Sequence, residues 1–494
     1  MRTNTLNKHV KPTRSALFVL AVAAIVAAGA TRALAQTSGQ RQGPTGLFVG
    51  NSDPGKHQTL DVTLSSTQGY DSDVVPNLST AVGLGGPEST GYSTTLVGGF
   101  EYSWQVSRVQ FRATGTSTMR YLRPLDDLYA STRSLSHTAG VGVFARLPKR
   151  TTLFVNQTAT YSPSYLYNLF PQAPSAVPGD APTVAPDYAV SGFESHTYGT
   201  ATTLSHDFTA RNTLSATGDY QSTDTFGGTE GRRPLASYGI RGHFAHRFGP
   251  NTAVLTEYLY RNSEFQLAGG AAAGGKLVEH GVNVGVDYTR RLSASRHFTF
   301  GAVVGSSITI VPVTSITHFP EASSPQSPEP SSTVTPEASA ILPESTVGFD
   351  VSNQYYPRMS GQVMLGYEFA RNWKLAAIYR RGVDYIPGLG EPISADRFST
   401  SISGLLHRRV DLLASAGYSN GDSALNRQGS AFNTYTGDVR LRYALTRTFA
   451  AYVEYLYYFY DSRGGIPIAP GISSGLQRKG VRTGLTLRVP ALRR

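Results

Sequence analysis

The chain has 494 residues, no cysteine and a formal net charge of +11. Without cysteine, the chain offers neither a disulfide framework nor a thiol site. The first 35 residues hold five basic residues and no acid, so the remainder carries a formal charge of only +6. A balance this mild does not call for a nucleic-acid partner.

The N-terminal segment has the three parts of a secretory signal peptide. Its charged region is followed by an uncharged run over 15–30 and by Ala33-Leu34-Ala35. We expect cleavage after Ala35, so that 1–35 is a signal peptide and 36–56 a short periplasmic segment. An uncleaved anchor helix is the alternative, but the apolar run is short for a membrane span.

After residue 57, apolar and polar side chains alternate in segment after segment. Leu96, Phe100 and Tyr102 fall on one side of such a segment, and Glu101 and Ser103 on the other. The same period of two recurs over 438–445, 449–459 and 481–489. This period indicates β-strands that have one apolar face.

Very short connections, each carrying Arg or Lys, join these segments in pairs. They are centred near residues 108, 149, 210, 250, 294, 371, 409 and 447. Eight hairpins with one further strand at each end predict 18 antiparallel strands, with 14 or 16 as alternatives. We expect the first strand near 57–69 and the last near 478–489.

The spacing of the turns indicates one all-β domain, a transmembrane up-and-down barrel over 57–494. Most turns recur at about 40 residues, the length of two strands with a tight turn and a modest loop. The two longer spacings contain Pro-rich segments at 162–194 and 311–352, which we expect to be outer loops. The basic short turns and both termini would then face the periplasm.

A propeller is the rival architecture, because its blades can have a similar period. Each repeat here contains two long strands rather than four short ones, and no Gly-His and Trp-Asp blade signature is present. Aromatic residues also fall into two groups, as in the girdles of membrane barrels. One group precedes the short turns (Tyr102, Trp104, Tyr288, Tyr367, Phe369, Tyr443), and the other lies at the far strand ends (Tyr161, Tyr220, Tyr258, Tyr260, Tyr379, Tyr418, Tyr455, Tyr457).

The hairpin pattern is clearest in FARNWKLAAIYRRG (369–382) and FTARNTLSATGDYQS (208–222). This pattern resembles bacterial outer-membrane β-barrels of the porin-like, beta-barrel porin 2 type, some of which accompany exopolysaccharide gene clusters. The resemblance covers most of the mature chain and implies an outer-membrane location without a catalytic signature. One departure is the C-terminus, which ends in Leu492-Arg493-Arg494 where such barrels usually end in an aromatic residue.

The polar side of the alternation supplies candidate residues for the lining of a pore. They are Arg112, Arg120, Arg241, Arg380, Arg440, Arg442, Arg482 and Arg488, with Glu101, Glu257, Glu368 and Glu454, and also Asp61, Asp219, Asp287 and Asp438. Because the two signs are nearly balanced, we expect most of these charges to pair along the inner wall. Charges that face water in a narrow pore would also bias which ions pass.

The Pro-rich segment 311–352 is a candidate constriction loop. The sequence between Phe298 and Pro357 contains acidic residues but no Lys or Arg. The candidate constriction residues are Glu321, Glu329, Glu337 and Glu344. In an 18-strand ring this segment would face the third strand, with Arg112 and Arg120. A mobile, solvated loop is the alternative, since the segment is rich in proline.

The leading functional interpretation is a passive, porin-like channel for small hydrophilic solutes, without cofactor or metal. An envelope-assembly or exopolysaccharide-export barrel without an open channel is the alternative. A membrane-embedded enzyme is third, because no nucleophile motif or H-E-x-x-H metal motif is present. The expected partners are outer-membrane lipid, the barrel-assembly machinery, small hydrophilic solutes and further copies of the same chain.

Overall fold

The structure is a computed structural model. It describes the strands of the chain and most of the residues in the short turns between them. The described residues are 57–72, 90–125, 131–162, 194–226, 233–266, 274–293, 295–318, 347–369, 372–384, 392–424, 431–463 and 475–493. The predicted signal peptide and the segment 36–56 lie outside these ranges. Among the described residues, none belongs to a helix long and apolar enough to cross a membrane.

The described chain forms 18 β-strands, which confirms the predicted number. In chain order they are β1 (Gln58–Asp71), β2 (Gly91–Val106), β3 (Val109–Pro124), β4 (Thr132–Leu147), β5 (Thr151–Ser162), β6 (Glu194–Asp207), β7 (Asn212–Phe226), β8 (Arg233–Arg247), β9 (Thr252–Gln266), β10 (Gly274–Ser293), β11 (Arg296–His318), β12 (Val347–Phe369), β13 (Trp373–Asp384), β14 (Ile393–His407), β15 (Val410–Ser423), β16 (Ala431–Ala444), β17 (Phe449–Arg463) and β18 (Gly475–Arg493). Each strand pairs antiparallel with its neighbours in sequence.

The sheet closes because β1 pairs with β18 as well as with β2. The closing ladder runs from Thr59 opposite Arg493 to Asp71 opposite Gly480, with one irregularity after Leu60. A lipid-embedded sheet must close in this way, because the hydrocarbon region has no water to satisfy the hydrogen-bonding groups of a free edge. The fold is therefore an all-β, closed antiparallel barrel.

All eight predicted tight turns join the strands that they were expected to join. Two to four residues separate these strands, whereas six to 31 residues separate the strands at the opposite end. Two turns use left-handed backbone, at Ser107 and at Lys149-Arg150. Such asymmetry between the two ends is typical of outer-membrane barrels, whose short turns face the periplasm.

The predicted loop 311–352 is shorter in the structure. Strand β11 continues to His318 and β12 begins at Val347, with Pro312 opposite Asn353 in the ladder between them. A proline within a strand removes one hydrogen-bond donor but does not end the strand. The connection is thus 319–346, and Glu321, Glu329, Glu337 and Glu344 all lie outside the described residues.

Large apolar side chains cover the outer face of the barrel. Leu64, Leu96 and Val304 are exposed on this face, and each alternates with polar inner residues along its strand. Aromatic rings contact one another near the turns, as in Tyr288 to Phe298, at 6.2 Å between centroids. They also do so at the far end, as in Tyr418 to Tyr435 at 5.0 Å.

An apolar outer face with an aromatic girdle at each end fits a lipid bilayer. The predicted two-girdle arrangement is therefore confirmed for the described strands. The protein is a transmembrane β-barrel of the outer-membrane type, since closed barrels of this kind are how strands cross that membrane.

We predict that the protein resists unfolding in sodium dodecyl sulfate until it is boiled, because a closed barrel has no edge from which to unravel. The measurement is electrophoresis of membrane extracts with and without boiling, and the unboiled form should migrate faster. A variant that ends at residue 474 lacks β18 and should give only the slower band. Identical bands before and after boiling of the full chain would contradict the closed barrel.

Candidate functional site

The inner wall of the barrel is the candidate functional site, because it collects the charged and hydroxyl side chains. Along β3, for example, Thr118, Arg120 and Leu122 are buried on the inner face, while Tyr121 between them is exposed on the outer face. The same alternation along the other strands produces a wall that is polar over most of its area.

The structure places every predicted pore-lining residue on this inner face. Each lies on the side of its strand opposite the exposed apolar side chains. They are Arg112 on β3 with Arg120, Arg241 on β8, Arg380 on β13, Arg440 and Arg442 on β16, Arg482 and Arg488 on β18, Glu101 on β2, Glu257 on β9, Glu368 on β12 and Glu454 on β17. The alternation in sequence was sufficient to assign these faces.

Most of these charges pair with a charge on the neighbouring strand. Carboxylate and guanidinium groups are 2.7 Å apart in Glu101–Arg112, 2.6 Å in Glu454–Arg440 and 2.9 Å in Asp61–Arg488. A longer contact of 3.6 Å joins Glu257 to Arg241. The predicted network of charge pairs along the inner wall is present.

Glu368 pairs with Lys374 at 3.0 Å, and Arg380 contacts Asp384 at 3.4 Å. Asp384 also contacts Arg397, on the adjacent strand β14, at 3.2 Å. Lys374, Asp384 and Arg397 were not among the predicted residues. Each follows a strand's period of two, so extending the alternation to the strand ends would have found them.

Asp71 is the most enclosed ionic centre of the wall. Its side chain is fully buried and accepts hydrogen bonds from Arg478 at 2.9 Å, from Arg482 at 3.3 Å and from the hydroxyl of Ser93 at 2.7 Å. A side chain at Gly480 would collide with its carboxylate, so this position requires glycine. Asp71 therefore joins β18, β1 and β2 at the far end of the barrel.

Neither Asp71 nor Arg478 was predicted as a pore-lining residue. The predicted first strand ended at residue 69, two residues short of Asp71. Asp71 lies an even number of residues after Asp61, however, and shares its face. The period of two therefore contained the signal, and the misplaced strand end concealed it.

A second centre lies on the inner face of β16 and β17. Arg442 forms an ion pair with Asp411 of β15 at 2.5 Å, and the guanidinium of Arg440 lies 5.1 Å from the ring centroid of Tyr452. The Tyr452 hydroxyl also contacts that of Thr67. Leu456, Tyr458 and Tyr460 continue the buried inner face of β17. The sequence analysis did not identify these buried inner residues of β17. Both faces of this strand carry aromatic residues, so an aromatic side chain does not indicate which face it lies on.

The accessibility of the inner residues varies along the wall. The side chains of Arg112 and Glu368, near the turns, are 55% and 48% exposed. Arg120 and Phe432, toward the far ends of their strands, are 2% and 0% exposed. Accessible charge is therefore present near the turns, at Arg112 and Glu368, and also farther along the wall at Arg380, whose side chain is 49% exposed.

Strands β4 to β7 form a hydroxyl-rich sector of the inner wall, with Arg146, Asp207 and Asp219 as its charged members. Neighbouring hydroxyls contact one another across strands, as in Thr197 to Thr223 at 3.1 Å and Thr203 to Thr217 at 3.0 Å. Other members of this sector are Ser134, Ser136, Thr138, Asn156, Thr158, Thr160, Ser195 and Ser215. This sector offers many hydroxyl groups and few charges.

Within the described residues, no three His, Cys, Asp or Glu side chains lie together in a way that could hold a metal ion. The ion pairs described above are contacts between side chains and carry no recognisable catalytic arrangement of nucleophile, base and orienting group. The hydroxyl and charged groups of this wall can hydrogen-bond to water and to polar molecules.

No protein-family profile and no curated protein matches the chain. Several solved outer-membrane proteins are similar to it in structure. OccK7 (OpdD) of Pseudomonas aeruginosa has 9% identity and a TM-score of 0.41 over 88% of this chain and 99% of its own. OccAB2 of Acinetobacter baumannii has 10% identity and a TM-score of 0.39, over 90% and 100%. The ferric-catecholate import receptor Fiu of E. coli K12 has 10% identity and a TM-score of 0.40, over 91% and 86%. Likenesses at this level do not identify a solute.

We predict that Asp71→Asn destabilises the barrel by about 3 kcal/mol, because it leaves two buried guanidinium groups without their carboxylate. Asp61→Asn is the matched control on the same strand; its partner Arg488 is partly exposed, and the loss should be about 1 kcal/mol or less. Urea unfolding of the refolded protein in lipid vesicles measures both. Equal midpoints for Asp71→Asn and the unsubstituted protein would contradict the role of Asp71.

Proposed function

We propose that this barrel is a passive channel for small hydrophilic solutes in the outer membrane. The observation that carries the proposal is an inner wall of hydroxyl groups and paired charges around an 18-strand ring. A ring of 16 to 18 strands is too wide to be filled by its own side chains, so it can enclose water. Passage through such a lumen needs no covalent step and no cofactor.

The pairing of charges supports weak selectivity between ions. Because Arg112 has Glu101 at 2.7 Å and Arg440 has Glu454 at 2.6 Å, opposite charges offset each other along the wall. A hydrated solute therefore meets hydrogen-bonding groups rather than a strong field of one sign. The hydroxyl-rich sector on β4 to β7 adds neutral polar surface on which uncharged solutes can be hydrated.

We infer that Arg112, Arg241, Arg380, Glu101 and Glu368 are the residues most available to a passing solute. Their side chains are exposed to the lumen by about a third to a half. Arg120, Arg442, Arg482 and Glu454 are buried, and their main role would be to brace the wall. Assembly machinery and further copies of the chain remain expected partners.

We predict ohmic, voltage-independent current steps when the refolded protein enters a planar lipid bilayer, with little preference between small cations and anions. Glu101→Gln should shift the reversal potential in a salt gradient toward anion preference, because it leaves the lumen-exposed Arg112 without its carboxylate. Arg381→Gln, on the outer face, is the control and should leave the reversal potential unchanged. A correctly folded barrel that passes no current would contradict the channel and favour an assembly or export scaffold.

The acidic segment between β11 and β12 supports a further prediction about the same channel. If Glu321, Glu329, Glu337 and Glu344 fold into the lumen, they face the basic residues of β3 and narrow the pore. Replacing residues 320–345 with a short Gly-Ser link should then raise the single-channel conductance and reduce ion selectivity. A fast-migrating, correctly folded deletion variant with unchanged conductance would place the segment outside the conduction path.

A further inference from the structure

Three basic side chains lie on the outer face of one sector of the barrel, at its far end. Lys479 on β18, Arg123 on β3 and Arg133 on β4 are all exposed, and each alternates with a buried inner residue. Together they form a group, here called the basic arc, that extends over β18, β1, β2, β3 and β4. The arc faces away from the lumen and takes no part in the proposed channel.

Each residue of the basic arc lies directly opposite a tyrosine in the sheet. Lys479 pairs with Tyr457, Arg123 with Tyr92 and Arg133 with Tyr121. These tyrosines belong to the far aromatic girdle, where Tyr70 also contacts Tyr92 with ring centroids 5.8 Å apart. Tyrosine girdles mark the level of lipid headgroups, so the three cations lie at that level.

The described outer face of β18 and of β1 to β4 presents no aspartate or glutamate. Asp61 and Asp71 on β1 and Glu101 on β2 all belong to the inner face. The arrangement on β13 and β14 is different: there the outward-facing Arg381 lies 3.3 Å from Asp396, which also accepts a hydrogen bond from Tyr379 at 2.6 Å. One outer-face cation is thus neutralised by its own sheet, and the basic arc is not neutralised by any described carboxylate.

An uncompensated cation on the lipid face is costly unless it reaches the interface and finds an anion there. The basic arc extends over four strand spacings, about 19 Å along the sheet, which is wide enough to contact more than one anionic group. Arginine donates paired N–H groups that suit phosphate oxygens. Since the long connections of such barrels face outward, this end lies in the outer leaflet.

We propose that the basic arc binds the phosphate groups of an outer-leaflet glycolipid. The tyrosines beside the three cations would pack against the upper part of its acyl chains and its sugar, and the cations would hold its phosphates. The site orients the barrel in its membrane and is independent of conduction through the lumen.

The test uses the full barrel in detergent, with diphosphoryl lipid A as the probe and the same lipid stripped of both phosphates as the reference. Native mass spectrometry counts bound lipid for the unsubstituted protein, for the triple variant R123Q/R133Q/K479Q and for the matched control R381Q. A faster-migrating band before boiling shows that each variant is folded. Conductance of the triple variant should stay unchanged.

We expect the unsubstituted protein and R381Q to prefer the phosphorylated lipid. The triple variant should bind it more weakly by about a hundredfold, since each basic residue at an anionic surface contributes to attraction. Equal binding of the two lipids by the unsubstituted protein would overturn the proposal, as would a preference that survives in the triple variant. A dimer that dissociates in the triple variant without a change in lipid binding would assign the arc to a second copy instead.

Discussion

The structure depends on one constraint, that every backbone N–H and C=O in the membrane must be paired within the sheet. A sheet in the membrane satisfies this constraint only when it is closed, so the first strand must pair with the last strand of the chain. The β1–β18 ladder does this, and it is braced at both ends. Arg488 holds Asp61 near the turns, and Arg478 and Arg482 hold Asp71 at the far end.

Closure also separates the lipid outside the barrel from the lumen inside it. Successive residues of a strand therefore alternate between apolar side chains that face lipid and polar side chains that face the lumen. The outer face meets hydrocarbon and carries Leu96, Phe100 and Val304, all of which would be poor choices for a soluble surface. The inner face can hold charge because water or a neighbouring strand compensates it. The pair Glu454–Arg440, with Glu454 buried and Arg440 stacked near Tyr452, shows the second kind of compensation.

The sequence predicts the parts of this fold that follow from period and turn chemistry. The eight short turns and the strand number are right, and a period of two assigns each charged residue to a face of its strand without knowledge of its partners. The partners depend on register, which brings Asp71 next to Arg478 and Arg482 from the opposite end of the chain. No local sequence pattern predicts the contact between Asp71 and these two arginines. Composition misleads at Pro312, where a proline-rich run continues a strand instead of ending it.

An arginine side chain therefore needs different compensation for its charge on the inner face and on the outer face of the barrel. An arginine at the inner wall can pair across strands, as Arg440 does with Glu454, or be exposed to the lumen, as Arg112 is. On the outer face an arginine is stable only near an interface, where its own sheet can supply a carboxylate, as Asp396 does for Arg381. Where the described sheet supplies none, as around Arg123 and Arg133, the site that we propose takes its compensating charge from the membrane. In that proposal, the distribution of carboxylates over the described outer face sets which sector of the barrel attracts an anionic lipid most strongly.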